Sequence, residues 1–374
     1  MKHTLNVAKL AVAVGAMLAV PMALADGSGT RFSDFTPLAA SAGPTADEAK
    51  PITFGNAAFE QRSIADRVTQ LGDLKPNSGN WDMNTVNETQ SFRRGQFAWW
   101  GRYVFTVFET GQSGVQRHDL WTGKTDTIWH SLEPGGHVAF DPSFWTPWGT
   151  LITGEESWET AAAGSTSPYG RLFELKNPNT APAISEPLIP TSNDGAEFVH
   201  RNVIPRTSHE GIQFDRFGNM YFIDELNGGN VYKYTPKAPP LAAVLGKADY
   251  FAAGRTSVLR VGDGNTPNAT GAYSWVPFTD ANGAGLPGAL TITDIRGVTS
   301  VDARNTTNLA PFKGTDYQRP EDMQIQNVGF KQYLYMTTTT TNEIYRLDLL
   351  NKTISVFANR DTIDLATGAA VGAA

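Results

Sequence analysis

The sequence predicts an all-β chain, a β-propeller of five to seven blades with six favoured, and three observations carry that expectation. The chain has 374 residues, long for one simple sandwich and suited to a closed ring of sheets. Its 36 glycines and 22 prolines supply the punctuation of many short strands. A unit of strand, turn, strand, turn and strand also recurs, at spacings of about 40 residues or more.

The clearest unit covers residues 208–236. In it Glu210-Gly211-Ile212-Gln213-Phe214-Asp215 leads to a turn at Phe217-Gly218-Asn219, and residues 220–224 form the next strand. Asn227-Gly228-Gly229 reads as a hairpin turn, and residues 230–234 return. A second unit has Glu321-Asp322-Met323-Gln324-Ile325, then strands at 333–336, 342–347 and 353–357. A third, less regular, has 138–141, 149–153 and 170–175, and residues 103–108, 115–120 and 125–129 form another meander. Residues 275–280 and 290–295 fit strands of an irregular blade, with a long loop over 280–288. Apolar residues alternate or run short, and Gly or Asn interrupts every stretch, which disfavours a helical repeat.

At the N-terminus Lys2 and Lys9 accompany an apolar run over 10–20, and Ala23-Leu24-Ala25 precedes Asp26. This pattern predicts a signal peptide over 1–25 with export to the periplasm or beyond the cell. The run is short for a membrane span, and no Arg pair precedes it. A flexible leader over 26–51, a propeller domain over 52–360 and a frayed tail over 361–374 complete the expected organisation.

With no cysteine, a thiolate nucleophile and a Cys-ligated metal are excluded. The formal charge is −7, and the expected signal peptide carries two lysines and no acid, which leaves the mature chain more negative still. That balance argues against general binding to nucleic acid or anionic membranes.

Acidic residues recur at strand ends: Glu109, Glu155, Glu156, Glu210, Asp224, Glu225 and Glu321. In a propeller such ends line the mouth of the central channel, where converging carboxylates repel one another unless a cation joins them. Hard oxygen donors select calcium, Ca2+, over softer metals. Glu210 and Glu321 stand at matching places in two units and are the leading metal candidates. His209 is a candidate metal ligand or general acid, or else a satisfied core histidine. Arg319, two residues before Glu321, is a candidate for holding an oxyanion such as phosphate, or a charge partner of the acids. Trp145-Thr146-Pro147-Trp148-Gly149-Thr150 reads as packing at the channel mouth.

Three ordered stretches resemble the PhoX family of calcium-dependent alkaline phosphatases. They are Thr146-Pro147-Trp148-Gly149-Thr150 with Gly154-Glu155-Glu156, then Ser208-His209-Glu210-Gly211, then Arg319-Pro320-Glu321-Asp322. The resemblance implies a propeller with calcium ions and iron in its channel, hydrolysing small phosphorylated substrates. It implies metal ligands at Glu210, Glu321 and Asp224, an acidic pair at Glu155 and Glu156, and a phosphate-holding Arg319. The family's iron centre uses a Cys ligand where this chain has Asp141-Pro142-Ser143-Phe144, so calcium without that iron site is expected. The leading expectation is a calcium-dependent phosphomonoesterase. The alternatives are a non-catalytic calcium-stabilised propeller that binds a partner or polymer, and a lactonase-type propeller hydrolase.

Overall fold

The structure is a computed structural model that describes residues 50–54, 59–66, 80–88, 101–157, 167–184, 192–364 and 368–373. The expected signal peptide and all of the leader but its last two residues lie outside them. Among the described residues no helix is long and apolar enough to cross a membrane.

The chain is nearly all β, built of successive up-and-down meanders. The first sheet runs β1 (Trp81–Val86), β2 (Tyr103–Phe108), β3 (Gly114–Asp119) and β4 (Lys124–His130). The second runs β5 (Phe140–Trp145), β6 (Leu151–Glu155), β7 (Leu172–Leu175) and β8 (Phe198–His200). A third meander comprises β9 (His209–Phe214), β10 (Met220–Asp224), β12 (Val231–Pro236) and β13 (Gly254–Val261), extended by β14 (Gly271–Pro277). A fourth comprises β18 (Pro320–Val328), β19 (Lys331–Thr338), β20 (Glu343–Asp348) and β21 (Thr353–Ala358). Pairing of Gly271 and Ala272 with Ile354 and Thr353 joins the last two meanders into one nine-stranded sheet.

Two short pairs complete the strands, β11 (Asn227–Gly229) with β17 (Tyr317–Gln318) and β15 (Thr291–Thr293) with β16 (Thr299–Val301). The stretch read as a hairpin turn at 227–229 is therefore a bridging strand. Its two partners lie about 90 residues apart, a distance that local turn chemistry does not reveal. Among the described residues helix is confined to the single turns α1 (Pro240–Val244) and α2 (Ala303–Thr306) and a 3-10 turn at Val371–Ala373.

The first strands of the four meanders lie side by side: β1 packs on β5, β5 on β9 and β9 on β18. Gly211 shows how close they come, since a Cβ there would lie 2.5 Å from the Met323 nitrogen. Gln213 Nε2 also donates across to the Met323 carbonyl at 2.9 Å. Hydrophobic burial holds the meanders in this order. Phe105, Trp145, Phe140 and Phe173 fill the space between the first two sheets. Strand β10 is buried on both faces, with Phe222 in one core and Tyr221 and Ile223 in another. The Trp145 to Thr150 stretch belongs to this core rather than to a channel mouth. Trp148 stacks on Tyr250 at 4.4 Å, and its Nε1 donates to buried Glu174 at 2.8 Å.

Candidate metal centre

Two features recur in all four meanders and locate the site. The residue just after each second strand donates its N–H to the carbonyl of the residue just before the first strand. These bonds are Glu109 to Asn80 (3.0 Å), Glu156 to Ala139 (2.7 Å), Glu225 to Ser208 (3.0 Å) and Thr339 to Arg319 (3.1 Å). Two residues beyond each of those carbonyls, at the second position of the first strand, stands an acid: Asp82, Asp141, Glu210 and Glu321.

Each of the four acids also lies within a register shift: Trp81 to Asn84, Phe140 to Ser143, His209 to Ile212 and Pro320 to Met323. A bulge interrupts the ladder and re-aims the side chain it carries. Pro142, Gly211 and Pro320 suit this local break, since proline cannot donate to a ladder and glycine admits close backbone approach. The four meanders thus form four equivalent quadrants around one basin. The quadrants hold Asp82 with Glu109, Asp141 with Glu156, Glu210 with Glu225, and Glu321 with Thr339.

The carboxylates converge. Ligand atoms of Asp82, Glu109 and Asp141 lie within 4.8 Å of one another, as do those of Asp141, Glu210 and Glu225. At 4.8 Å and an effective dielectric of about 20, two full charges repel by about 3.5 kcal/mol. The acids respond by holding protons. Burial, then the charge of Asp141, pushes Glu210 up to about 12. Glu156 rises to about 11 through burial and its contact with Glu225. Burial raises Asp141 to about 8 against the opposing hydrogen bond from Glu210, with help from Asp82 and Glu225. Burial and Glu109 bring Asp82 to about 6. Glu321 is also raised, by burial and by Glu225.

Two oxygens deep in the basin, Glu210 Oε2 and Asp141 Oδ1, accept from no donor among the described residues. Orphaned buried oxygens in an all-carboxylate set are what a hard divalent cation fits. The acidic residues could hold a metal; a site of this composition lacks the imidazole and thiolate donors that favour zinc.

Arg319 crosses from the fourth quadrant to the third. Its guanidinium lies 2.7 Å from Glu225 and 3.0 Å from Glu321. Its backbone sits in the left-handed region at φ 58° rather than in the extended form expected. The side chain remains 39% exposed, so it is tethered to the acids yet reachable from solvent.

Other sequence candidates are not brought into the basin, and strand geometry gives the reason. Adjacent residues at a strand end point to opposite faces. Glu156, Glu210 and Glu225 enter the basin, while their neighbours Glu155, His209 and Asp224 turn into a second, fully buried layer. Glu155 there accepts from Arg171 at 2.8 Å, and Arg171 also faces Asp294. Asp224 accepts the Ser208 N–H at 2.8 Å, and burial raises it to about 7. Burial and the nearby Arg304 and Arg206 push His209 down to about 3, and its Nδ1 lies 2.8 Å from the Thr207 hydroxyl. His209 is fully buried outside the basin, the core-histidine alternative of its sequence reading. Glu155 and Asp224 likewise lie in the buried layer, outside the basin. Asp82 was missed because its strand belongs to no unit visible in the sequence. Asp141 was read only as the residue in place of a cysteine.

The PhoX alkaline phosphatase family model matches residues 145–362. Among curated proteins none matches the chain. Solved structures with some likeness include an auxiliary nutrient binding protein from Bacteroides thetaiotaomicron, 9% identical over 78% of this chain and 59% of that one, with a TM-score of 0.28. A protein of the same description from Bacteroides ovatus is 9% identical over 76% and 58%, with a TM-score of 0.29. Dihydro-heme d1 dehydrogenase NirN is 11% identical over 76% and 48%, also with a TM-score of 0.29. This chain thus spans three-fifths or less of the length of these structures, and at such scores they carry no argument about function. The family match extends over more than half of the sequence and includes all three motif stretches, so the chain belongs to the PhoX alkaline phosphatase family.

Proposed function

We propose that this chain is an exported, calcium-dependent phosphomonoesterase that works in the carboxylate basin at the axis of a propeller-like ring of meanders. One observation carries the reading: acids from three separate meanders converge on orphaned buried oxygens, with a guanidinium from the fourth beside Glu225. Asp82, Glu109, Asp141, Glu156, Glu210, Glu225 and Glu321 are the residues that would hold calcium. Bound calcium supplies positive charge against phosphoryl oxygens and substrate orientation. Arg319 has the planar donor fork that matches a phosphate, and its partial exposure lets it exchange carboxylate partners for substrate oxygens. The buried layer beneath keeps the strand ends rigid, so the acids do not relax apart as they ionise.

The test is hydrolysis of p-nitrophenyl phosphate by the full chain with calcium, after a chelator, and in Arg319→Ala. Turnover that needs calcium and falls about a hundredfold or more in the variant supports the proposal. Purified protein that binds calcium but leaves phosphate esters untouched refutes it. A lactonase would keep its activity without Arg319.

A further inference from the structure

The four quadrants are equivalent in backbone but not in charge. Each of the first three carries two carboxylates, one at the bulge and one after the second strand: Asp82 with Glu109, Asp141 with Glu156, Glu210 with Glu225. The fourth departs at two places. Its residue after the second strand is Thr339, and the residue whose carbonyl receives the Thr339 N–H is Arg319. The corresponding residues elsewhere are the uncharged Asn80, Ala139 and Ser208. At these two positions the first three quadrants therefore carry two carboxylates each, while the fourth carries one beside the Arg319 guanidinium; with Asp322, whose charge also reaches Asp82 and Glu321, it remains the least negative of the four.

A divalent cation is drawn to the three doubly acidic quadrants. A phosphate-class dianion entering the calcium-loaded basin meets the least negative wall, and the Arg319 guanidinium, at the fourth. Thr339 maintains that wall in two ways. Its hydroxyl donates to Glu321 Oε1 at 2.6 Å, which fixes that carboxylate beside Arg319. Among the described residues Arg319 pairs with Glu225 and Glu321, and a glutamate in place of the small uncharged Thr339 would add a further carboxylate beside them. Thr339 is itself exposed, so the wall faces the solvent from which substrate arrives.

We infer that Thr339 is a positioning residue that makes the fourth quadrant the seat of the substrate dianion, by leaving empty the charge its three counterparts supply. The inference rests on the function proposed above, and the experiment separates the two. The full-length protein is compared with Thr339→Glu, which completes the acid pattern, and Thr339→Gln, which adds the same bulk without charge. Three quantities are measured: calcium affinity, affinity for inorganic phosphate in saturating calcium, and the separate kcat and KM for p-nitrophenyl phosphate.

Thr339→Glu is expected to bind calcium at least as tightly as the parent, yet to bind phosphate about ten- to a hundredfold more weakly. The loss falls mainly on KM and shrinks as salt is raised. Thr339→Gln is expected to lose at least fivefold less phosphate affinity than Thr339→Glu. Equal losses in the two variants would show that bulk, not charge, matters, and would overturn the inference while the proposed function stands. So would unchanged phosphate affinity in Thr339→Glu. A parent protein that binds calcium but neither binds nor hydrolyses phosphate species would overturn both.

Discussion

Replacing Asp141 with Asn removes the one carboxylate common to both acid triads, and the consequences have opposite signs with and without metal. Burial, with the charges of Asp82 and Glu225, raises Asp141 to about 8 in the folded protein, whereas an unfolded Asp titrates near about 4. Between those values the native state holds a proton that the unfolded chain has released. Stability therefore falls as pH rises through this window, by up to about 1.4 kcal/mol per pH unit from this group alone. From pH 6 to pH 8, where the group is half deprotonated, that amounts to about 2.3 kcal/mol, or roughly 3–5 °C in melting temperature for a domain of this size.

Asn is close to isosteric and does not ionise. In chelator, Asp141→Asn is expected to lose that much less melting temperature between pH 6 and pH 8, and to be the more stable protein at pH 8. In millimolar calcium the order reverses, because the variant lacks a ligand and gains less from binding. Differential scanning fluorimetry at both pH values, with and without calcium, reads all of this out. A variant less stable than the parent in chelator at pH 8 would show that the acids do not strain the metal-free fold, and the electrostatic account of the basin would fail.

Other outcomes follow from the division of side chains between the basin and the buried layer. Glu155→Gln breaks the buried pair with Arg171 and should cost about 3–5 kcal/mol of stability with little change in calcium affinity. Its neighbour Glu156→Gln should weaken calcium about tenfold and cost little stability; isothermal titration and urea unfolding on the same samples separate the two. His209→Gln should keep kcat/KM for p-nitrophenyl phosphate within about threefold, since the parent imidazole is neutral and faces away from the basin; a loss beyond a hundredfold would restore it as a catalytic group. Gly211→Ala forces a Cβ against the Met323 nitrogen and should lower stability by about 1–3 kcal/mol in urea unfolding, through the β9–β18 contact.

Much of the strand pattern was legible in the sequence because period-two alternation and Gly-Asn turns are local signals. Residues 220–224 and the strands after Pro320 appear as read. The acids were legible one by one as strand-end residues, but their destinations were not. Which member of Glu155 and Glu156, or of Asp224 and Glu225, enters the basin depends on the pleat at the end of a strand. A bulge of one residue shifts that phase. Asp82 and Glu109 reach the site only because β1 packs on β5, a contact between segments some 60 residues apart that no short window contains. Nothing local in the sequence singles out the buried arginines Arg171 and Arg206, since their partners Glu155 and Asp294 lie 16 and 88 residues away.

The four bulges carry a consequence for how the site can change over time. A one-residue insertion or deletion ahead of a bulge would trade places between the two layers, sending His209 toward the basin and Glu210 toward Arg206 and Arg304. The lost ligand and the new buried acid would penalise the same event twice, so length variation at these four points is barred. Substitution is the open route. A residue exchanged in place at a bulge re-tunes the basin's preference for a metal and leaves the layer beneath untouched.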